Sequence, residues 1–252
     1  MTEKALTAYR AELWGRPVED TCPECGGTGY FKTPDGKPIK CHVCNTESRA
    51  DWLKQNCGLG PGELGHSIHH WQTGDWSKMA GDVATAYRAQ RVNAFQVMRA
   101  AIDERVGFLT FYGDFGSGKT FGLQLMTNEL RLKMIESYYA PFSILLDHLR
   151  QMTAARADTT TYWQRLVDVP ALFVDEVTRF NETSWAKERL FNLVDTRHRR
   201  RSSHLTVFAT NDDPNQVLDT SEDVGYLFSR MRSGNIVELC GDMRQNEAEF
   251  QF

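Results

Sequence analysis

The sequence predicts an α/β fold in three layers, in which a mostly parallel five-stranded sheet lies between helices and a small N-terminal domain precedes it. Short apolar runs alternate with segments of helical periodicity, as they do when parallel strands are joined through helices. A glycine-rich stretch joins the first of these runs to a helix, and paired cysteines mark off the N-terminal part. The five expected strands are residues 108–112, 137–140, 171–175, 205–210 and 236–240.

Bulk composition indicates a globular protein with a substantial core. The chain has 252 residues, of which 41% are hydrophobic and 25% charged, and its formal net charge is −4. That charge argues against a uniformly basic nucleic-acid coat protein but allows a local basic track. No apolar run approaches the roughly 18 residues of a membrane span, and the first residues lack the layout of a signal peptide. We therefore expect no membrane partner, a cytoplasmic location and reduced cysteines.

The first 60 residues are expected to form a helix and a zinc module. Two Cys-x-x-Cys pairs separated by 15 residues have the spacing of structural zinc sites, and four thiolates satisfy a tetrahedral Zn²⁺. His42 could replace one cysteine, whereas Cys57 lies outside the pattern. The helix, at residues 4–14, either packs on its own domain or docks a partner. The predicted zinc ligands are Cys22, Cys25, Cys41 and Cys44.

A Gly- and Pro-rich stretch at residues 59–65 predicts the domain boundary. It divides the chain into an N-terminal module, residues 1–60, and a larger domain, residues 61–252. A long helix is expected early in the larger domain, at residues 79–103, because its apolar positions recur mostly every three or four residues.

Residues 113–120 read Gly-Asp-Phe-Gly-Ser-Gly-Lys-Thr and fit the phosphate-loop pattern at every fixed position. A strand precedes this loop and a helix follows it, which is the context that the motif requires. Lys119 would reach the β- and γ-phosphates of ATP, and the Thr120 hydroxyl would hold Mg²⁺. Upstream, Ile68 and Trp71 either cover the adenine or pack in the core. The other expected nucleotide-binding residues are Gly113, Gly116, Ser117, Gly118 and Phe121.

Two later strands end in polar residues that suit ATP hydrolysis. The run 171–175 ends in Asp175 and is followed by Glu176, and Asn211 follows the run 205–210. Functional side chains collect at the carboxyl ends of parallel strands. Asp175 would hold Mg²⁺ through its water shell, Glu176 would polarise the attacking water, and Asn211 would touch the γ-phosphate or that water. An ordinary turn is the alternative for Asn211.

A helix expected at residues 184–198 leads into a basic run, residues 197–201. Those cations either contact nucleic-acid phosphates or complement the negative end of the helix dipole. Local charge fits both interpretations.

The phosphate loop, the Asp-Glu tip and the Thr-Asn tip are followed by Leu-Phe-Ser-Arg-Met-Arg-Ser-Gly-Asn at residues 227–235 and later by Asp-Met-Arg. In this order the motifs resemble the AAA+ ATPases, specifically the DnaC-type loaders of bacterial replicative helicases, over roughly residues 65–244. The resemblance implies that Arg230 is an arginine finger for a neighbour's ATP site. It also implies that Arg244 is a second sensor arginine and Asn211 the first sensor. Surface ion pairs are the alternative for both arginines.

The resemblance further implies contacts with single-stranded DNA through polar and aromatic residues that follow the acidic strand tip. Thr183 and Trp185 occupy those places, with Arg179 and Lys187 nearby. Bases stack on aromatic side chains whatever their sequence, and cations support the backbone. Packing of Trp185 against a neighbouring helix is the alternative.

The function implied by the resemblance is helicase loading. ATP would order a ring or spiral of subunits that binds single-stranded DNA and holds a hexameric replicative helicase, and hydrolysis would release the loader. The small size suits a phage-encoded loader. The predicted zinc module, however, is not found in the simplest DnaC-type proteins. It therefore stays open which N-terminal surface holds the helicase. One alternative is a transposition helper ATPase that resembles IstB and acts on double-stranded DNA. Another is a non-hydrolysing adaptor, against which Lys119, Asp175 and Glu176 argue.

Overall fold

The computed structural model describes residues 30–32, 38–41, 46–72, 81–179, 183–216 and 222–242. Its strands are β1 (Tyr30–Lys32), β2 (Pro38–Lys40), β3 (Gly107–Gly113), β4 (Ser137–Pro141), β5 (Ala171–Asp175), β6 (Leu205–Thr210) and β7 (Asn235–Leu239). Its helices are α1 (Thr46–Asn56), α2 (Gly81–Glu104), α3 (Lys119–Leu132), α4 (Phe142–Ala154), α5 (Thr159–Asp168), α6 (Ser184–Arg199) and α7 (Glu222–Met231), with 3-10 turns at Glu63–Gly65 and Ile68–Gln72. None of the helices in these ranges has the length and apolarity of a membrane span.

Five strands form one fully parallel sheet in the order β4-β5-β6-β3-β7. The predicted sheet is therefore confirmed, and β1 and β2 form a separate antiparallel pair. Strand β6 lies between β3, which leads into the phosphate loop, and β5, which ends in Asp175. Because parallel strands point the same way, their carboxyl ends meet at one edge of the sheet.

Each face of the sheet has its own hydrophobic core, which gives the three predicted layers. Leu109 and Phe111 of β3 belong to one core, together with residues of α2 and α3. Phe108 belongs to the other core and meets Phe208 of β6 edge to face, with ring centroids 5.4 Å apart. Successive residues of a strand point to opposite faces, so the continuous apolar runs of the sequence cover both.

Residues on the N-terminal side of the predicted boundary pack against the larger sheet. Arg49 of α1 donates to the carbonyl oxygen of Met134 at 2.8 Å, and Cys57 is buried in one core. The carbonyl oxygen of Cys57 accepts the amide of Tyr139 at 2.8 Å, on the outer side of the edge strand β4. This contact covers a strand edge that is prone to pair with another chain. The division into residues 1–60 and 61–252 stays a prediction.

Arg197 of α6 is fully buried, so the interpretation of the basic run as a surface patch is wrong for this residue. Its guanidinium donates to Thr206 Oγ1 at 2.8 Å and to the carbonyl oxygen of Val169 at 2.6 Å. It also donates to the carbonyl oxygens of Leu166, Val167 and Leu205. The side chain thereby joins α6 to the end of α5 and to the starts of β5 and β6.

Candidate functional site

The phosphate loop lies where β3 ends and α3 begins, and two glycines shape it. Gly113 has a φ of 129°, and a Cβ there would lie 2.1 Å from the carbonyl oxygen of Leu239. Gly118 has a φ of 91° and is the N-cap of α3, without a side-chain cap. Only glycine adopts such a backbone readily. The first amides of α3 therefore point at the loop, where an anion can accept from them.

Lys119 folds back over this loop. Its Nζ donates to the carbonyl oxygens of Gly113 and Asp114, at 2.8 and 2.7 Å, and to Ser117 Oγ at 3.3 Å. Burial lowers the pKa of Lys119, and the carboxylates of Asp175 and Asp114 oppose that shift. The lysine thus lies in the loop as the motif predicts.

The remaining predicted loop residues lie nearby. Gly116 has a φ of 75°, and Thr120 is exposed at the second position of α3. The Phe121 ring packs edge to face on His66, with centroids 5.4 Å apart. Phe121 can therefore serve the loop through its backbone N–H group rather than through its ring.

Asp175 at the tip of β5 is 3% exposed and accepts several hydrogen bonds. Its Oδ2 accepts from the Tyr139 hydroxyl and its Oδ1 from the amide of Glu176, both at 2.9 Å. Burial raises the pKa of Asp175, whereas hydrogen bonds from Thr120, Tyr139 and the Glu176 amide lower it. Thr120 and Asp175, the two predicted magnesium ligands, are therefore neighbours.

Tyr139 on β4 is a site residue that sequence reasoning did not identify. Burial and the neighbouring Asp175 raise its pKa, so the phenol keeps its proton and acts as a donor. Gln124 of α3 hydrogen bonds with Tyr139 and donates to Glu63 Oε1 at 2.5 Å. Glu63 Oε2 in turn accepts the amide of Gly60 at 2.6 Å. A chain of polar groups thus connects Asp175 with the Gly/Pro-rich stretch.

Glu176 follows β5 with a φ of 48°, which is unusual for a residue with a side chain. Its Oε1 pairs with Arg179 Nη1 at 3.0 Å. The Arg179 guanidinium also lies 5.7 Å from the ring centroid of Phe115, an exposed residue of the phosphate loop. Arg179, which was predicted to contact DNA, is therefore placed beside the predicted catalytic glutamate. A backbone held outside its usual region is common at functional sites.

Asn211 follows the tip of β6, as the sequence predicts, and it is half-buried. Beside it, the hydroxyls of Thr210 and Thr178 are 2.9 Å apart, and the amide of Val177 donates to Ala209 at 3.0 Å. These bonds tie the tip of β6 to the segment that carries Glu176. The structure therefore brings Asn211, Glu176 and the phosphate loop to the same edge of the sheet.

Arg230 lies elsewhere, near the C-terminal end of α7. Its Nη2 donates to the Tyr226 hydroxyl at 2.5 Å and to Asp195 Oδ1 at 3.4 Å. Tyr226 itself donates to Asp195 at 2.5 Å. The hydrogen bond with Tyr226 is the largest of the effects that raise the pKa of Arg230. Arg244 lies outside the described residues.

The predicted DNA contacts surround the start of α6. Thr183 is the N-cap of this helix, and its side chain accepts the Ala186 amide at 3.2 Å. Trp185 is 36% exposed, and the Arg150 guanidinium lies 5.2 Å from its ring centroid. Lys187 is half-buried on the next turn. Thr183 thus has a structural role, whereas Trp185 offers an aromatic surface beside a cation.

Of the predicted zinc ligands, Cys41 belongs to the described residues and is buried. Cys22, Cys25 and Cys44 lie outside them, as do the alternative ligand His42 and the helix expected at residues 4–14. In the described ranges, no group of three or more His, Cys, Asp or Glu side chains is arranged to hold a metal ion. The zinc module stays a prediction.

The described edge of the sheet fits a magnesium nucleotide. The loop offers backbone amides and the ammonium of Lys119 to phosphate oxygens. The Asp175 carboxylate and the Thr120 hydroxyl are oxygen ligands of the kind that Mg²⁺ takes. Ile68 and Trp71 are buried in one hydrophobic core, which favours packing over the alternative that they cover the adenine.

Comparisons with known proteins agree with this architecture. No protein-family model matches the chain. In sequence it is 29% identical over 113 residues to the replicative helicase loader DnaI of Bacillus subtilis, over 43% of this chain and 34% of that protein. The alignment therefore spans only about a third of the relative's length.

Three solved structures share the fold. The DnaI structure has a TM-score of 0.54 at 20% identity, over 74% of this chain and 94% of that one. The DnaC helicase loader has a TM-score of 0.51 at 17% identity, over 68% and 99% of the two chains. AMPPCP-bound DnaA from Aquifex aeolicus has a TM-score of 0.55 at 17% identity, over 75% and 54%. The chain therefore has the AAA+ fold that DnaC, DnaI and DnaA share, and it resembles the DnaC-type helicase loaders.

Proposed function

We propose that this chain is an ATP-dependent helicase loader that assembles with ATP, binds single-stranded DNA and delivers a hexameric replicative helicase onto DNA. One observation carries the proposal. The phosphate loop, Asp175 and Glu176 meet at one edge of an AAA+ sheet, in a chain similar in sequence to a replicative helicase loader.

ATP binding follows from the chemistry of this edge. Lys119 and the first amides of α3 would hold the phosphates, and Thr120 and Asp175 would hold Mg²⁺. When bound, Mg²⁺ neutralises charge on the phosphate oxygens. Glu176 would orient the attacking water, after its carboxylate leaves Arg179, and Asn211 would contact the γ-phosphate or that water. The nucleotide then serves as an assembly switch as well as a substrate.

Arg230 would complete the site of a neighbouring subunit. Gly234, just after α7, approaches the carbonyl oxygen of Phe108 so closely that a Cβ would lie 1.9 Å from it. Arg230 therefore lies near the amino end of β3, whereas the phosphate loop follows the carboxyl end, roughly 20 Å along the strand. Such a guanidinium serves a second copy of the chain more readily than its own loop. This geometry supports a ring or spiral of subunits.

Single-stranded DNA would contact the start of α6. Trp185 supplies a stacking surface, and Arg150 and Lys187 supply charge beside it. Thr183 would act by fixing the helix start, and Arg179 would link DNA contact to Glu176 through their ion pair. The N-terminal region, with its predicted zinc module, would grasp the helicase.

The first test measures ATP hydrolysis with single- and double-stranded DNA. We expect stimulation by single-stranded DNA, abolished in Lys119→Ala and Glu176→Gln, with ATP-bound oligomers accumulating in Glu176→Gln. Stimulation by double-stranded DNA alone would instead favour a transposition helper. An inability to bind ATP would overturn the proposal.

The second test measures capture of a purified hexameric replicative helicase by the full chain and by a chain without residues 1–45. The cut lies before α1 because Arg49 and Cys57 pack against the ATPase domain. We expect the shortened chain to keep ATP binding and to lose the helicase. Equal capture by both chains would place the docking surface on the ATPase domain.

A further inference from the structure

Arg91 of α2 places its guanidinium against the phosphate loop. A Cβ built on Gly118 would lie 3.0 Å from Nη1 and 3.2 Å from Nη2 of Arg91. Gly118 is the last residue before α3 and immediately precedes Lys119. The Arg91 guanidinium therefore lies where the phosphate loop ends and α3 begins. It comes from α2, which precedes β3 in the chain.

Trp71 holds Arg91 in this position. The guanidinium carbon lies 4.1 Å from the Trp71 ring centroid, a cation–π distance. The indole N–H donates to the carbonyl oxygen of Arg91 at 3.0 Å. Trp71 is itself buried, and a Cβ on Gly122 of α3 would lie 3.3 Å from its ring. Both the backbone and the side chain of Arg91 are thus fixed relative to α3.

The charge at this place favours an anion. Burial lowers the pKa of Arg91 to about 10, so the group remains protonated at neutral pH. Lys119, also buried, brings a second cation to the same loop. The N-terminus of a helix adds a partial positive charge of its own.

The chemistry of the arginine side chain also favours a phosphate contact. An apolar side chain would cover the Trp71 ring without the free-energy cost of moving a cation out of water. A guanidinium instead presents planar, forked N–H donors that match phosphate oxygens. Its position beside Gly118 places those donors next to the predicted path of the phosphates.

We infer that Arg91 contacts the nucleotide in its own subunit by donating hydrogen bonds to a phosphate oxygen held at the start of α3. The inference rests on the proposed function and deepens it, because it assigns a cation outside the phosphate-loop motif to the recognition of nucleoside phosphates. Arg91 then contributes to the preference for phosphorylated nucleotides over nucleosides.

The test compares full-length wild type with Arg91→Met and Arg91→Lys, using fluorescent mant-ADP and competition by ADP and adenosine. Arg99→Met is the matched control, since Arg99 is exposed further along the same helix. We expect Arg91→Met to weaken ADP binding by about tenfold to a hundredfold, the range for a hydrogen bond to a charged group. Arg91→Lys should lose less, and Arg99→Met should match wild type.

Competition by adenosine separates a phosphate contact from a packing defect. If Arg91 contacts phosphate, adenosine affinity is unchanged in Arg91→Met and the preference for ADP over adenosine shrinks by the factor lost for ADP. An equal loss for ADP and adenosine, or wild-type ADP binding in Arg91→Met, overturns the inference. Failure of the wild-type chain to bind mant-ADP at all overturns the proposed function instead.

Discussion

Tyr139 donates its phenolic proton to Asp175 Oδ2 across 2.9 Å, from one strand of the sheet to the next. Burial raises the pKa of Asp175, and this hydrogen bond is one of those that lower it. Tyr139 therefore helps to keep ionised the carboxylate that we propose as a magnesium ligand. The role of Tyr139 is therefore to position Asp175 and to tune its pKa.

Tyr139→Phe should raise the pKa of Asp175 and so weaken magnesium binding. We expect the Mg²⁺ concentration for half-maximal ATP hydrolysis to rise roughly tenfold, the effect of one hydrogen bond to a charged group. The acid limb of the pH–rate profile should move to higher pH. Tyr138→Phe is the control, because the Tyr138 hydroxyl lies 3.4 Å from that of Tyr162 and its side chain packs in the other core. Identical magnesium dependence in both variants would contradict this role.

Asp175 should also give the nucleotide-free protein a dependence of stability on pH. Because burial raises its folded-state pKa, its stabilising contribution is complete below the unfolded-state pKa and is lost as pH rises through the folded-state value. We therefore expect the ionisation of Asp175 to make the free energy of unfolding fall as the pH rises from mildly acidic to neutral. Urea denaturation across that range should show a flatter dependence for Asp175→Asn than for wild type.

Glu136 is the internal control for this experiment. Burial raises its pKa as well, with Arg165 and Arg49 opposing, so it contributes a slope of the same sign. Glu136→Gln should flatten the stability profile without affecting magnesium dependence. A profile of Asp175→Asn as steep as that of wild type would show that Asp175 is not the titrating group.

Arg179 should restrain Glu176 until DNA is bound. An exposed ion pair of this kind contributes about 0.2–1 kcal/mol, so Arg179→Ala should raise DNA-independent ATP hydrolysis by up to roughly fivefold. The stimulation by single-stranded DNA should shrink at the same time. Arg189→Ala is the control, because Arg189 pairs with Glu188 at 2.7 Å on α6. A lower basal rate in Arg179→Ala would mean that the arginine assists the chemistry instead.

The sequence predicted the parts of the site that are contiguous in the chain. The phosphate loop and the Asp-Glu tip can be recognised in the sequence because a few adjacent residues determine both the backbone geometry and the chemistry. Tyr139 and Arg91 reach the site from other elements. Their positions depend on β4 lying beside β5 and on α2 crossing the loop, and strand order is not readable from local periodicity.

Arg197 was misinterpreted for a different reason. A run of arginines resembles a surface patch, yet Leu190, Leu193, Val194 and Arg197 share the i, i+3, i+4, i+7 spacing of one helix face. The apolar stripe of α6 therefore continues into Arg197 and turns it towards the core. The helical spacing of these four residues, rather than the local charge, could have identified Arg197 as a buried residue.

Arg197→Met should destabilise the fold strongly. It leaves buried acceptors at the starts of β5 and β6 without their donor, which costs about 1–3 kcal/mol for each unsatisfied group before any relaxation. Chemical denaturation should show the loss, whereas Arg199→Ala should cost at most about 1 kcal/mol, because Arg199 is 78% exposed in its pair with Asp195. Equal stability of the two variants would contradict the structural role of Arg197.

Arg230 should act across a subunit boundary, and mixing two inactive variants tests this directly. Lys119→Ala loses its own nucleotide site but keeps Arg230, and Arg230→Ala keeps the loop but lacks the guanidinium. We expect each variant alone to hydrolyse ATP at least about a hundredfold more slowly than wild type. For Arg230→Ala this expectation rests on the rate effect of an arginine finger, about 10³–10⁵ in kcat. An equimolar mixture should be far more active than either, since Arg230 of one copy then serves the intact loop of the other. Arg199→Ala removes a different cation from the same Asp195 and should leave activity and assembly intact. An inactive mixture, or full activity of Arg230→Ala alone, would restrict Arg230 to its contacts with Tyr226 and Asp195.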